Sequence, residues 1–252
     1  MKETNNQEEK QVISFYLLSS PGDRENNEDS IGMFQAEDDY CFVLADGLGG
    51  HGMGEVASQQ AVEQVIGTFA AYGKADEACL SEAMMNAQNT IMRKQAEDRK
   101  LADMKTTCVA LMVGKDEILW AHVGDSRLYC FRKGKLATRT MDHSVPQMLV
   151  ASGQIREKDI RHHPDRNRLL RVMGIEWEEP RFEIGGPVER DDNLAFLLAS
   201  DGFWELIDEK KMMACLKRAD TPEEWVRSMS EIVVKNGQGL DMDNYSAVAV
   251  FI

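Results

Sequence analysis

The chain has 252 residues, enough for one large domain or two small ones. Apolar side chains make up 43% of it, so a core can form without a disulfide or a structural metal. Acidic residues number 43 and basic residues 29, which gives a net charge of -14 at pH 7. This balance opposes binding to nucleic acid and to anionic membranes, because both require clustered Lys and Arg.

The sequence gives no sign of membrane insertion or secretion. No apolar run reaches the ~18 residues of a membrane helix, and residues 1–11 lack the apolar segment of a signal peptide. Widely spaced cysteines without a Cys-x-x-Cys pair, three of them in apolar strand-like runs, are typical of buried free thiols. The five are Cys41, Cys79, Cys108, Cys130 and Cys215. We therefore expect a cytoplasmic protein, because thiols stay reduced there.

The first hundred residues combine short strands with two helices. β-Branched and aromatic side chains predict strands at 12–18, 30–36 and 40–45. Apolar residues at three- and four-residue spacing then predict helices from Val56 to Phe69 and from Ala83 to Met92. No strand separates these two helices.

The rest of the chain is mostly strand, apart from one long polar segment. Short turns between strands predicted at 106–113, 117–123 and 127–132 favour an antiparallel meander. Residues 141–190 are polar, rich in Arg and His and interrupted by prolines, with only short helical pieces, as is typical of a functional or mobile region. The remaining predicted elements are a strand at 194–200, helices at 208–217 and 222–235, and a strand at 246–252.

This order of elements predicts the fold class. Strands in runs, adjacent helix pairs and no regular alternation of strand and helix indicate an α+β protein, with antiparallel sheets covered by helices. A doubly wound parallel sheet is disfavoured. No repeat, low-complexity tract or linker divides the sequence, so we expect a single domain over residues 1–252.

Acidic residues stand at the ends of the predicted apolar strands. A lone Asp before Gly is usually a turn former or a helix cap, but Asp46-Gly47 and Asp201-Gly202 repeat one strand-Asp-Gly pattern in distant parts of the chain. If the strand ends converge, the carboxylates repel one another unless cations lie between them, and oxygen ligands select hard ions such as Mg²⁺ or Mn²⁺. The acids placed in this way are Glu28, Asp29, Asp46, Asp125, Asp201 and Asp243.

The glycine-rich loop at 47–52 permits another interpretation. Its glycines have the spacing of a dinucleotide-binding loop, which would indicate an NAD-dependent oxidoreductase. Asp46 beside a pyrophosphate opposes this, as does a second helix where a βαβ unit needs a parallel strand. We favour glycines that allow close backbone approach, with the Gly47 carbonyl available to a hard ion. His51 and Glu55 are spaced to share a metal, although Glu55 more simply complements a helix N-terminus.

Five motifs follow one another along the chain: 24–29 (RENNED), 45–51 (ADGLGGH), 123–127 (VGDSR), 199–205 (ASDGFWE) and 243–246 (DNYS). Together and in this order they resemble the protein phosphatase 2C (PPM) family of metal-dependent Ser/Thr phosphatases. Segments 142–144 (DHS) and 163–174 resemble its bacterial branch. The resemblance implies a four-layer αββα sandwich, in which helix pairs flank two antiparallel sheets. It also implies a flap at 141–180 that tunes substrate access.

The same resemblance implies a role for each site residue. Asp46 is expected to bridge two Mg²⁺ or Mn²⁺ ions, which activate a water for in-line attack on phosphorus. Arg24 matches the arginine that holds the substrate phosphate, so Arg24 and Asp46 are the predicted catalytic residues. The other expected ligands are Asp201 and Asp243 for the first ion, the Gly47 carbonyl, Glu28 and Asp29 for the second, and Asp125 with Asp201 for a third.

The resemblance leaves two questions open. Leu48 stands where many eukaryotic relatives have a His that is proposed as general acid, so no protein acid is assigned; bacterial relatives often have an apolar residue there. The alternative function is a catalytically silent phospho-binding regulator on the same scaffold, although its usual signature, loss of a metal-binding Asp, is absent. The expected partners are phosphorylated proteins, including a Ser/Thr kinase and its substrates, and the expected state is a monomer.

Four arginines in the flap have two interpretations. They could attract a phosphorylated substrate, or they could pin the flap to the body of the protein, which we favour. They are Arg161, Arg166, Arg168 and Arg171.

Overall fold

The computed structural model describes residues 13–49 and 53–252. Within them the chain forms the strands β1 (Ser14–Ser20), β2 (Asp29–Ala36), β3 (Asp39–Leu48), β4 (Lys105–Thr106), β5 (Cys108–Val113), β6 (Glu117–Val123), β7 (Arg127–Arg132), β8 (Lys135–Arg139), β9 (Glu183–Glu189), β10 (Leu194–Ala199) and β11 (Tyr245–Phe251). The α-helices are α1 (Met53–Tyr72), α2 (Glu77–Glu97), α3 (Val145–Ala151), α4 (Asp201–Trp204), α5 (Glu209–Leu216) and α6 (Pro222–Gly237).

The strands form two antiparallel sheets. Sheet I has the order β1-β11-β10-β7-β8, and sheet II has the order β2-β3-β5-β6-β9, with β4 paired to β3. The helices α1 and α2 pack on the outer face of sheet II, and α4 to α6 pack on the outer face of sheet I. The predicted α+β class and the αββα layering are therefore confirmed.

Alternate residues of the central strands enter different hydrophobic cores, since successive strand side chains point to opposite faces. In β10, Phe196 and Leu198 lie between the two sheets, whereas Leu197 packs against the helices of sheet I. In β3, Phe42 lies between the sheets and Val43 packs under α1 and α2. Strands buried on both faces explain the continuous apolar runs of the sequence.

The helix starts have the local signals that physical chemistry favours. The hydroxyl of Thr221 accepts a hydrogen bond from the Glu224 backbone N–H at 3.2 Å, and Pro222 occupies the first turn, where no N–H is needed. Asp76 caps α2 in the same way, by accepting from the Cys79 N–H at 2.9 Å.

The predicted meander of three strands is wrong at its last step. β5 pairs with β6 in sheet II, but β7 belongs to sheet I, where it pairs with β10 and β8. The chain changes sheet at Gly124, whose φ of 100° suits glycine. A Cβ on Gly124 would also lie 2.6 Å from the Thr107 side chain. Because the chain passes from one sheet to the other here, Asp125 lies at the ends of both sheets and not in a hairpin turn.

Two edge strands were not predicted. β8 lies at the edge of sheet I and β9 at the edge of sheet II, so each is paired on one side and largely exposed. β9 contains Gly185, Gly186 and Pro187, residues that weaken a strand pattern but are tolerated at an edge. The segment 141–190 therefore contains a strand as well as α3 and a short 3₁₀ helix at Glu157–His162.

The structure also tests the expectations about thiols and membranes. All five cysteines are buried and free, as predicted. No helix within residues 13–49 and 53–252 is both long enough and apolar enough to cross a membrane.

Candidate metal and phosphate site

The two Asp-Gly pairs bring their carboxylates together. Asp46 lies near the end of β3 in sheet II, Asp201 begins α4 and is separated by one residue from the end of β10 in sheet I, and the two carboxyl groups lie close enough to share a hydrogen bond when one of them is protonated. A Cβ on Gly47 would lie 2.1 Å from the Gly54 carbonyl oxygen, and a Cβ on Gly202 would lie 2.1 Å from that of Asn244. Glycine therefore follows each aspartate because another backbone segment packs directly against it.

Asp29 links the two sheets at the same place. It lies opposite Asp46 in the β2–β3 register and is only 6% exposed. Its Oδ2 accepts a hydrogen bond from the Ser200 hydroxyl at 2.8 Å, while its Oδ1 has no hydrogen-bond partner. A buried carboxylate oxygen without a donor is costly, so this atom is suited to a cation.

Asp125 approaches the pair from the sheet crossing. It is 6% exposed, and its backbone carbonyl accepts a hydrogen bond from Trp204 Nε1 at 3.0 Å. Its carboxylate is close enough to Asp201 for the two charges to repel each other. Because α4 contains both Trp204 and Asp201, this hydrogen bond fixes one carboxylate relative to the other.

Glu28 and Asp243 are held side by side by Asn244. The Asn244 side-chain oxygen accepts a hydrogen bond from the Glu28 N–H at 2.7 Å. Its side-chain nitrogen donates to the carbonyls of Pro21 and Asn26, both at 2.9 Å. Asn244 has no role predicted from the sequence. The signal for it in the sequence is its position directly after Asp243 in the last of the five motifs.

Threonine hydroxyls support the Asp46 backbone and were also missed. Thr107 Oγ1 accepts a hydrogen bond from the Asp46 N–H at 3.0 Å and contacts Ser126 Oγ at 2.7 Å. Thr106 Oγ1 donates to the Asp46 carbonyl at 2.8 Å. Nothing local in the sequence marks these threonines, because they lie about 60 residues from Asp46.

Burial and mutual repulsion make these acids hold their protons. Desolvation, followed by the charges of neighbouring aspartates, raises the pKa of Asp46 and of Asp125 well above the usual value and also raises that of Asp201. Burial raises the pKa of Asp29 to about 7, although hydrogen bonds from Ser246 and Ser200 oppose the shift. Burial and then the charge of Asp243 raise the pKa of Glu28.

The Asp29 shift predicts a pH dependence for the metal-free protein. Its folded pKa of about 7 exceeds its ordinary value of 3.8, so its stabilising contribution is complete below pH 3.8 and is lost as pH rises through 7. In EDTA we expect the Tm to fall as the pH rises from about 4 to about 7, and to fall less in Asp29→Asn. Differential scanning fluorimetry measures the Tm of both proteins. Parallel curves for the two proteins would contradict the prediction, and Asp192→Asn, an exposed control, is expected to follow the wild type.

The residues fit a hard divalent cation. Every donor is an oxygen atom, and neutralising the buried carboxylates would remove the repulsion that raises their pKa values. No three of these described carboxylates offer oxygen atoms within 4.8 Å of one another.

Arg24 lies at the mouth of the acidic cluster. Its Nε and Nη2 donate to the two oxygens of Asp243 at 3.3 and 3.5 Å, and its Nη1 donates to Asp241 at 3.0 Å. The side chain is 44% exposed. Arg24, Asp201 and Asp243 line one cleft of about 310 Å³. A group bound in this cleft would contact the guanidinium and the carboxylates together.

Three of the four flap arginines pair with acids outside the flap, in agreement with the favoured interpretation, whereas Arg168 pairs within it. Arg161 donates to the carbonyls of Trp204 and Ile207 and pairs with Glu209 at 2.8 Å. Arg166 pairs with Glu205 at 3.0 Å, also across to the body of the protein. Arg168 pairs with Asp165 within the flap, and Arg171 pairs with Glu183 on β9.

A buried ion pair fixes the start of the flap. Both nitrogens Nε and Nη2 of Arg127 donate to Asp142, at 2.7 and 2.6 Å, and the two residues are 1% and 5% exposed. The Arg127 guanidinium also stacks on the Trp204 ring, 3.4 Å from its centroid. The GDSR and DHS motifs thus meet at one contact, whose role the sequence alone did not reveal.

A second group of potential metal ligands does not form a metal site. His122, His143 and Glu183 have ligand atoms within 4.8 Å of one another. The two imidazole rings, however, are stacked at 4.6 Å and nearly parallel, so one ion cannot lie in the plane of both. His143 Nδ1 accepts a hydrogen bond from the Gly124 N–H, which leaves the ring proton on Nε2, facing Glu183. The group instead joins β6, β9 and the flap.

The dinucleotide-binding interpretation of the glycine-rich loop is wrong. The helix α1 is followed by α2 and not by a parallel strand, and every strand pair in the described residues is antiparallel. A βαβ unit is therefore missing. Gly50, His51 and Gly52 lie outside the described residues, so the His51–Glu55 pair stays a prediction.

Comparisons with known proteins identify the family. The family model described as protein phosphatase 2C matches residues 21–236. The serine/threonine phosphatase stp of Listeria welshimeri is 34% identical over 200 residues, which cover 77% of this chain and 79% of that protein.

Solved structures of this family resemble the fold over nearly its whole length. The serine/threonine phosphatase Stp1 from Staphylococcus aureus has a TM-score of 0.85 at 27% identity, covering 96% of each chain. The catalytic domain of the phosphatase PstP, in complex with two manganese ions, has a TM-score of 0.78 at 28% identity, covering 95% of this chain and 98% of that one. The chain belongs to the protein phosphatase 2C family.

Proposed function

We propose that this protein is a metal-dependent protein phosphatase that hydrolyses phosphoserine and phosphothreonine by attack of water on phosphorus. The observation that carries the proposal is the convergence of acids from opposite ends of the chain, Asp29, Asp46 and Asp201, beside the exposed Arg24. Relatives named serine/threonine phosphatases support the same reaction class.

The carboxylates would hold two or three Mg²⁺ or Mn²⁺ ions. Asp46 would bridge two of them, Asp201 and Asp243 would complete the first, and the second would bind the Gly47 carbonyl, Glu28 and Asp29. Asp125, with Asp201, would hold a third. When bound, such ions supply the Lewis acidity that makes water nucleophilic near neutral pH. The PstP structure with two manganese ions supports two of these sites.

Arg24 would position the phosphate. Its guanidinium already holds two oxygens of one carboxylate, Asp243, and this fork geometry matches two oxygens of a phosphate. Its position at the cleft mouth lets it reach an anion that enters from solvent. Because charge accumulates on the phosphoryl oxygens during transfer, a fixed guanidinium there lowers the barrier.

The test of the function is hydrolysis by the purified full chain. We expect turnover of p-nitrophenyl phosphate and of a phosphothreonine peptide with Mn²⁺, and none after EDTA treatment. Tight phosphopeptide binding without turnover at any Mn²⁺ or Mg²⁺ concentration would instead support a catalytically silent regulator. That alternative is opposed by the retention of all six predicted acidic ligands.

The contribution of Arg24 to the activity can be tested by substitution. In Arg24→Ala we expect kcat/KM for p-nitrophenyl phosphate to fall about 100-fold, the usual effect of removing one donor to the transition state. Arg24→Lys retains the positive charge but not the two parallel N–H donors of the guanidinium, so it should recover only part of the lost kcat/KM. Arg93→Ala, which removes an exposed arginine on α2, is the matched control. An equal effect of Arg24→Ala and Arg93→Ala would exclude the phosphate role.

The biological setting follows from the same proposal. The substrates would be phosphorylated proteins, and the opposing enzyme would be a Ser/Thr kinase. The buried free cysteines support a reducing cytoplasm as the compartment. We propose one catalytic domain over residues 1–252 that acts as a monomer.

A further inference from the structure

A groove continues from the proposed catalytic cleft along the surface between the flap and the helices α5 and α6. We call it the flanking groove and define it by Arg161, His162, Leu206, Lys211, Asn236 and Leu240. Its volume is about 630 Å³, twice that of the cleft that contains Arg24. A volume of this size accommodates a small ligand or a short stretch of peptide.

The flanking groove and the cleft share a wall. Arg166, Glu205, Leu206 and Leu240 line both of them. One side of this wall is the Arg166–Glu205 ion pair, which joins the flap to the end of α4. The other side is apolar, and Leu240 is 57% exposed. A chain whose phosphorylated residue lies in the cleft would therefore extend directly into the groove.

The charge of the groove differs from that of the whole protein. The chain carries a net charge of -14, yet the groove is lined by three basic side chains, Arg161, Arg166 and Lys211, against two acidic ones, Glu205 and Asp208. The acids that line the groove are already engaged: Glu205 pairs with Arg166, and Asp208 caps α5 by accepting from the Lys211 N–H at 2.9 Å. His162 is exposed, and the Lys211 side chain is 50% exposed with its Nζ 3.9 Å from Asp208.

We propose that the flanking groove binds the stretch of substrate chain beside the phosphorylated residue, with an acidic side chain near Lys211 and His162 and an apolar side chain on Leu240. The inference rests on the proposed phosphatase function and adds a sequence preference to it. An extended peptide suits an open groove that presents both basic and apolar groups. p-Nitrophenyl phosphate, by contrast, is too small to reach from the cleft into the groove. The groove thus selects among phosphoproteins without taking part in the chemistry.

The test compares two phosphothreonine peptides and p-nitrophenyl phosphate with Mn²⁺. One peptide has Glu and Leu on both sides of the phosphothreonine, and the other has Ser at those positions. We expect the wild type to have the higher kcat/KM for the Glu/Leu peptide. Lys211→Glu should lower that value about 10-fold, because it replaces an exposed attraction by a repulsion. Leu240→Ser should lower it about threefold through loss of apolar contact.

Matched variants separate the groove from general effects of charge and shape. Lys210→Glu makes the same charge change at the neighbouring, exposed position of α5, and Val234→Ser removes an exposed apolar side chain from α6. Both should retain the peptide preference, and these two variants and Lys211→Glu should hydrolyse p-nitrophenyl phosphate like the wild type.

The outcomes distinguish the two proposals. If Lys211→Glu and Leu240→Ser leave the preference unchanged, or if Lys210→Glu removes it equally, the groove proposal is overturned while the phosphatase function stands. If the wild type hydrolyses neither p-nitrophenyl phosphate nor the peptides with Mn²⁺, the proposed function fails, and the groove proposal fails with it.

Discussion

We expect Asp46→Asn to lower the Mn²⁺-dependent kcat/KM for p-nitrophenyl phosphate more than about 100-fold. Loss of a residue that merely supports a metal ligand already costs up to this factor, and Asp46 is the proposed bridge between two ions. Asp46 is also the acid whose charge is repelled by three other aspartates, Asp201, Asp29 and Asp125. Among the other proposed ligands, only Asp201 is also assigned to two ions.

The same substitution should have the opposite effect on the stability of the metal-free protein. An amide cannot ionise, so Asp46→Asn removes a buried carboxyl that repels its neighbours, and the Tm in EDTA at pH 8 should rise. With Mn²⁺ the wild type should gain stability and the variant should gain little, because a ligand that binds only the folded state stabilises it. Asp192→Asn, which changes an exposed aspartate, should match the wild type in both assays.

Two results would contradict this assignment. Activity of Asp46→Asn within a few-fold of the wild type would exclude a bridging role. A lower Tm of the variant in EDTA would show that the Asp46 carboxylate stabilises the metal-free fold, contrary to the burial and the repulsion that raise its pKa.

The acidic residues of the site were predictable because their placement has a physical cause that the sequence records. A carboxylate after an apolar strand is fixed at the end of a sheet, and the glycine after Asp46 or Asp201 is required by a backbone only 2.1 Å from its missing Cβ. The pattern is local and recurs in distant parts of the chain. It therefore predicts that the acids meet, although it does not predict their distances.

The supporting residues were not predictable because their contacts are not local. Asn244 binds a loop more than 200 residues away, and Thr107, which lies between β4 and β5, binds Asp46 on β3, 61 residues away. A polar side chain of this kind has no periodicity, and only tertiary structure reveals which buried N–H or C=O it satisfies.

The errors in the predicted fold have similar origins. β6 and β7 are separated by a short turn, as in a hairpin, but burial of Leu128 and Phe196 between the sheets places β7 beside β10 instead. β8 and β9 are edge strands, whose exposed faces remove the apolar alternation that identifies a strand. Pairing partners and edges are decided by packing of the whole domain, which a local pattern does not contain.

We expect Asp142→Ala to be the most destabilising of the substitutions considered, with a loss of about 3–5 kcal/mol in the free energy of unfolding. Arg127 is 1% exposed and donates two hydrogen bonds to Asp142. Without Asp142 its buried charge would keep only the Tyr129 hydroxyl at 3.1 Å and the face of the Trp204 ring. Urea denaturation in EDTA measures the loss without a contribution from metal binding.

A double substitution separates the cost of an unpaired charge from the value of the ion pair. In Arg127→Met/Asp142→Leu both charges of the pair are removed, and Arg139, which lies 3.6 Å from Asp142, keeps its other partner Glu157. The protein should therefore recover much of the stability that Asp142→Ala loses. Asp159→Ala breaks an exposed pair with Arg156 at 3.0 Å and should change stability little. Equal losses in Asp142→Ala and Asp159→Ala would contradict the prediction.

The recovered double variant should nevertheless be a poorer phosphatase than the wild type. Arg127 stacks on Trp204, whose Nε1 donates to the Asp125 carbonyl and whose helix begins with Asp201. The ion pair therefore positions two proposed metal ligands as well as the start of the flap, and apolar replacements would restore packing without this alignment. We expect the Mn²⁺ concentration for half-maximal activity to rise in the double variant even where its stability approaches that of the wild type. An unchanged Mn²⁺ requirement would restrict the Arg127–Asp142 pair to a role in folding.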